Sequence, residues 1–495
     1  MVHGIADSDV LRLVLKKEAA RRVQILPDQE QRQRIEQLMT LATMVGGLLP
    51  RSDGFAFLSA TDVGPLLPVP DLIEPRVYRD AVAATNADPA LAGLQPDILG
   101  ERFVLDRLTA GDGSHFAARK LLVVGWKIQP DDVCDFVVRT ASDFPGDPGL
   151  EVLCALPTDS PLARSRWGRL VADLIRVANR STDPMTGRLL SALRELVRKH
   201  SDEEHVARAL ALAELYLGNI FLFAEENYSE AQSRFEAAIA LARGASDIVA
   251  AAVNNRGIVY HLIENEDKAF ADWSDVISAS MISDEARACA LNNRADVFGR
   301  RGLHEQSIAD RAAVLALRET SADRRYIALI RRSRSYVQLG RSGDALDDLG
   351  MILRTDDISP QQKAEAHVLR GALLRDLGHL DDARQDLDSV LAEEDLFYGT
   401  YPEALVELGE LARLTGDVER AREYLDAASA SVDARGDTLA EALIVRARLL
   451  TDEGDAAAAE SIWQRVRTDP AATPRQALIA SNRDVPARLS HPIGV

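Results

Sequence analysis

The stretch Asn254-Asn-Arg-Gly-Ile-Val-Tyr260, followed closely by Asp267-Lys-Ala269 and Trp273, decides the fold. Its grammar returns every 38 residues. Ala231, Ala269, Ser307, Ala345, Ala383, Ala421 and Ala459 lie on one comb. Asn219, Gly257, Ala295, Ser333, Gly371, Gly409 and Ala447 lie on a second, and Gly302, Gly340, Gly378, Gly416 and Gly454 on a third. Three columns with one period mark an internal repeat. Small residues in the first two columns let two helix axes approach closely. The glycines mark the turn between the helices, where a positive φ costs little only for Gly. Between the columns, apolar residues such as Ala345, Leu349 and Ile352 recur at helical spacing. One helix pair cannot bury its apolar face alone, so seven stacked units are expected to build an all-α solenoid.

This pattern resembles the tetratricopeptide repeat (TPR) family. A small residue, an aromatic three later, a turn Gly, an Ala and a large apolar residue follow one another. The units are Gly257, Tyr260, Glu264, Ala269, Trp273; Ala295, Phe298, Gly302, Ser307, Arg311; Ser333, Tyr336, Gly340, Ala345, Leu349; and Ala447, Leu450, Gly454, Ala459, Trp463. The second of these departs most, with Arg311 in place of the large apolar residue and Ser307 in place of Ala. The period exceeds the usual TPR length by about four residues, one helical turn, which predicts a longer helix or a longer inter-unit loop. The resemblance covers residues 205–468 and implies a right-handed superhelix of helix pairs with a peptide-binding concave wall.

A chain of 495 residues exceeds a single compact core. With 58 Lys and Arg against 77 Asp and Glu, its net charge of −19 disfavours nucleic acid and anionic membranes as partners of the whole chain. Cys134, Cys154 and Cys289 are far apart and odd in number, which argues against a disulfide framework. No signal pattern opens the chain and no apolar run of membrane-spanning length stands out, so a cytoplasmic location is expected.

Outside the repeats, residues 1–110 are expected to form a helical N-terminal region. One helix is expected with Val10, Leu11, Val14 and Leu15 inward and Lys16, Lys17, Arg21 and Arg22 solvated. A second follows Pro27, with Ile35, Leu38, Met39, Ala42 and Val45 on one face, and ends at Gly46-Gly47. Phe55, Phe57 and Leu58 suggest a short strand, Gly64, Pro65, Pro68 and Pro70 a break, and residues 74–84 a helix. Asp97 is a candidate cap for a helix bearing Leu99, Phe103, Val104 and Leu108 on one face. The stretch from Leu94 to Leu108, with Leu41-Ala-Thr-Met-Val-Gly-Gly47, resembles the linker and winged-helix region of bacterial STAND-type signalling NTPases. No GxxxxGK[ST] phosphate loop accompanies it, and Gly111-Asp-Gly113 lacks both the length and the Lys. The resemblance implies a sensor arm associated with an NTPase module, or the C-terminal fragment of such a protein. Residues 111–204 are expected as a linker with a capping helix pair over 164–179 and 185–200, and residues 469–495 as a C-terminal cap and tail.

Carried over from the TPR resemblance, the groove-facing positions are Asn254, Asn255, Asn292, Asn293, Asp296, Arg331, Arg334, Glu407 and Glu410. Paired Asn side chains offer donors and acceptors to an extended main chain, and Arg331 with Arg334 can hold a carboxylate bidentately. From Arg300 to Arg334 the chain holds nine Arg against four acids, which marks a candidate patch for an acidic or C-terminal carboxylate motif. The competing reading pairs these arginines with acids of adjacent units. Arg256, Arg294, Arg332, Arg370 and Arg446 form a further column, read as structural pairing between units. The acidic pairs Asp347-Asp348 and Asp381-Asp382 are read as solvated faces, and Cys289 as a small core residue. His200 and His205 lack metal spacing, and no GxSxG or Cys–His pair suggests a nucleophile. The expectation is therefore a non-catalytic protein- or peptide-binding scaffold without cofactor or metal, in bacterial signalling or defence. A TPR-containing DNA-binding regulator stands as the alternative.

Overall fold

The computed structural model describes residues 14–17, 19–20, 23–24, 28–45, 97–111, 114–178, 181–242, 244, 246–393, 400–431 and 436–481. The expected strand around Phe55, the helix over 74–84, Gly46-Gly47 and the final tail lie outside them. Among the described residues the chain is all helix, with no strand. It forms two compact units, Met1–Asp272 and Trp273–Val495.

In the first unit, α1 (Gln29–Met44), α2 (Asp97–Thr109), α3 (Ser114–Ile128), α4 (Pro130–Asp143) and the short α5 (Gly149–Cys154) share one core. Met39, Leu41, Met44, Leu105 and Leu121 are fully buried in it. Val14, expected inward, is exposed, while Leu15 is buried. α6 (Pro161–Val177) and α7 (Pro184–Lys199) each start on a proline behind a cap, Ser160 and Asp183 accepting from the Ala163 and Met185 amides. α8 (Glu204–Asn219) continues into a π segment, Ile220–Ala224. An 18-residue window within Glu204–Ala224 reaches a mean hydropathy of 1.5, an apolar run missed in the sequence, yet 67% of it is buried in the fold as a core helix would be.

Seven consecutive helix pairs follow the 38-residue period. Within the first unit these are α8 with α9 (Tyr228–Leu241), then α10 (Ser246–Leu262) with α11 (Glu266–Ser278), inside which the unit boundary falls. The second unit holds α12 (Asp284–Arg300) with α13 (His304–Ala316), and α14 (Ala322–Gln338) with α15 (Ser342–Leu353). After them come α16 (Pro360–Asp376) with α17 (Leu380–Leu391), α18 (Thr400–Leu414) with α19 (Val418–Ala430), and α20 (Gly436–Asp452) with α21 (Ala456–Thr468). α22 (Pro474–Ser481) packs on the last pair.

The columns explain the hairpins. Gly302, Gly340, Gly378, Gly416 and Gly454 all take positive φ, between 73° and 83°, at the turn inside each pair. A Cβ on Gly371 would lie 2.9 Å from Leu387 Cγ, and one on Gly409 3.0 Å from Leu425, so these first helices sit directly on the large apolar residue of the second. First helices such as α12 and α14 have 17 residues and second helices such as α13 have 13. The difference is about one turn, which accommodates the long period. Ser283, Ser321 and Ser359 cap α12, α14 and α16, a serine comb with the same period. The earliest tooth of the small-residue column shifts. At α8 the close contact belongs to Gly218, whose Cβ would meet Phe235 at 2.5 Å, rather than to Asn219. The π segment between them inserts one residue and moves the register.

Candidate functional site: an arginine-lined cavity

Arg331 and Arg334 lie one turn apart on α14, and Asp296 and Arg300 lie near the end of α12. Packing of α12 and α14 brings all four to the wall of one cavity of about 410 Å³ within the second unit. Arg311 of α13 and Arg475 of α22 join them, and Val337, Leu349, Leu369 and Leu373 supply apolar wall. Asp296 is the one acid among the lining residues. Its carboxylate accepts from both Arg331 and Arg311, so two guanidinium groups share one negative charge. Arg334 donates to Glu365 Oε1 at 2.7 Å, and Tyr326 donates its hydroxyl proton to the other oxygen of Glu365.

Arg311 is 3% exposed. Its Nη1 donates to the Ala295 carbonyl at 3.2 Å and to Ser307 Oγ, which itself donates to the Ala295 carbonyl at 2.9 Å. Its Nε has no partner, and neither has Nε of Arg334 or Nδ1 of His304 beside it. Burial lowers the Arg311 pKa to about 10; Asp296 pulls it back only in part, and Arg331 and Arg334 add to the depression. Burial and the Arg311 charge likewise hold His304 below its usual value. Arg311, Arg331 and Arg334 together meet two carboxylates, Asp296 and Glu365. The serines of the site do not form a nucleophile pair: Ser333 donates to the Ile330 carbonyl at 2.8 Å and Ser335 to that of Arg331 at 3.2 Å. The chemistry available is oxyanion binding.

The other expected groove residues go elsewhere. Asn254 and Asn255 lie in the first unit, where Asn254 donates to Asn255 at 3.0 Å and Asn255 to Asn219 at 2.8 Å. Asn292 is buried at 4% exposure with both amide atoms unpartnered, and Asn293 is half-buried. Glu407 and Glu410 are buried and ion-paired, with Arg375 and with Arg413 and Arg448.

The arginine column pairs differently from expectation. Arg256, Arg294, Arg332 and Arg370 each clamp an aspartate 16 residues on, at Asp272, Asp310, Asp348 and Asp386, on the second helix of their own hairpin. Arg446 reaches back to the preceding hairpin, at Asp426, and Arg294 adds a bond from Nη1 to Ser274 of the hairpin before its own at 3.0 Å. The pairs are therefore mostly within units. Asp348, read as solvated, is 2% exposed and held by both Nε and Nη2 of Arg332 at 2.8 and 2.6 Å. The aspartates form their own column at the 38-residue period, one residue before the large apolar position, a signal the sequence carried.

Among the described residues no group of His, Cys, Asp and Glu is placed to hold a metal. Cys134 and Cys154 are free thiols whose pKa burial pushes up to about 12, and Cys289 is raised for the same reason.

No family model matches the chain. No curated protein matches it either. Among solved structures it is similar to a tetratricopeptide repeat protein from Parabacteroides merdae, at 15% identity and a TM-score of 0.40, covering 59% of this chain and all of that one. Yeast Tom70 aligns at 13% identity and a TM-score of 0.38, over 82% of this chain and 90% of that one. Pseudomonas aeruginosa PilF aligns at 16% and 0.36, over 46% and 96%. The hairpins, their turn glycines and their small-residue contacts define the class: a TPR-like helical repeat fold.

Proposed function

We propose that the chain is a non-catalytic scaffold that binds the acidic or C-terminal carboxylate end of a partner protein at Arg331 and Arg334. One observation carries the reading. In a chain of net charge −19, five arginines and a single acid line one cavity. Arg331 and Arg334 keep 32% and 28% of their side chains exposed there, within reach of an entering carboxylate. Rim arginines that already hold Asp296 and Glu365 exchange partners at modest cost, because partly exposed ion pairs contribute little. The test is fluorescence anisotropy with acidic peptides carrying free or amidated C-termini. The free terminus is expected to bind at least about tenfold more tightly, and Arg331→Glu with Arg334→Glu to abolish the difference. Equal binding by the two peptides, or by the double variant, overturns the reading.

The bacterial signalling or defence setting rests on the sequence resemblance of residues 10–110 alone. Co-purification with an NTPase encoded beside it would support that setting, and an NTPase-free complex in the native host would remove it.

A further inference from the structure

The large apolar position of the repeat is Phe235, Trp273, Leu349, Leu387, Leu425 and Trp463 in six units, each between 0% and 3% exposed. In the remaining unit, third along the chain, it is Arg311, equally buried. In the regular units this side chain fills the space against the small residue of the first helix, as Leu387 does against Gly371. Arg311 instead turns its guanidinium to the Ala295 carbonyl and Asp296, and it borders the cavity of about 410 Å³. The cavity is open at a rim of partly exposed arginines, and beneath it a buried cation with an unpartnered N–H costs stability. Arg311 and Arg331 share Asp296 and Arg334 holds Glu365, so three cations meet two carboxylates, while Val337, Leu349, Leu369 and Leu373 supply apolar wall to the same cavity. The volume is that of a small-molecule site, and the lining sets an arginine cluster beside an apolar wall.

We propose that this cavity binds a small organic anion, a carboxylate or phosphate head on an apolar body, with the head between Arg311 and Arg334 and the body against Leu349, Leu369 and Leu373. The head supplies the negative charge the three arginines lack. The body removes the apolar wall from water. The site shares Arg331 and Arg334 with the peptide reading above but stands without it, since its ligand needs no partner protein.

Calorimetry on the full chain tests this with octanoate, octyl phosphate, octanol and inorganic phosphate. At least one of the two amphipathic anions is expected to bind with a Kd below about 1 mM, and which one does so identifies the head. Octanol and inorganic phosphate, each lacking half of the chemistry, are expected to bind at least about tenfold more weakly. Arg311→Leu restores the residue type of the other units. It is expected to lower the affinity at least about tenfold while leaving Tm equal or higher, because replacing a buried ionic group by a fitting apolar one is often neutral or stabilising. Arg334→Met, at a half-exposed position, gives a second variant with the same expected loss. Absence of saturable binding for both anions up to about 10 mM overturns the proposal. So does octanol binding as tightly as octanoate, or unchanged affinity in both variants. If acidic peptides bind and the small anions do not, this proposal falls and the scaffold reading stands.

Discussion

Asp348 shows how one residue of the repeat is set. Burial pushes its carboxyl above the ordinary range, and the two-pronged contact with Arg332 only partly offsets this. The Arg332 guanidinium sits over the Tyr336 ring, 5.7 Å from its centre. Removing one member of such a pair leaves the other buried and uncompensated. Asp348→Ala is therefore expected to cost about 2–4 kcal/mol in urea unfolding. Joint replacement, Asp348→Leu with Arg332→Met, is expected to recover most of the loss, and an equal loss in the double variant would show that the ion pair itself is indispensable. The pairing was legible as two columns 16 residues apart, but only a hairpin turns that separation into contact. Arg294 and Asp310 repeat the geometry beside the cavity, which leaves Arg311 as the one charged intruder in its column.

At the scale of the element, the turn position is the sharpest feature. Five hairpins place Gly there, whereas the two earlier teeth of the same comb are Glu226 and Glu264, with φ of 51° and 60°. A side chain in this region costs about 1–2 kcal/mol, and Gly avoids that at the expense of some chain entropy. Glu264→Gly is expected to raise stability by up to about 1 kcal/mol, read as a higher urea midpoint at unchanged slope. A lower midpoint would mean that Glu264 makes a contact worth more than its strain. The glycines were readable because a positive φ is a local demand. The register shift at α8 was not, because a π turn is decided by how Gly218 seats on Phe235.

At the scale of the whole molecule, the acidic balance and the buried acids combine. Glu101 of α2 is fully buried, paired with Arg139 and facing Asp143. Burial raises its pKa from 4.5 to about 7. The native state then holds a proton that the unfolded chain releases, so this contribution is complete below about pH 4.5 and is lost as pH rises through about 7. Glu101→Gln cannot lose it. The variant is expected to gain on the parent by up to about 3 kcal/mol between pH 5 and pH 8, read from paired thermal melts. A constant difference across that range would place the Glu101 carboxylate as charged and matched by Arg139.

The repeat length, the hairpin positions and the turns follow from the order of residues, because helix period and positive φ are demands met within a few residues of chain. The place where the pattern fails, at Ser307 and Arg311, was equally visible. What Arg311 does there was decided by tertiary structure. Its partners Ala295 and Asp296 come from the other helix of its hairpin, and the rest of its cavity from α14, α15, α16 and α22. Burial and pairing depend on which distant side chains share a volume, and no periodicity along the chain encodes whether that volume is filled.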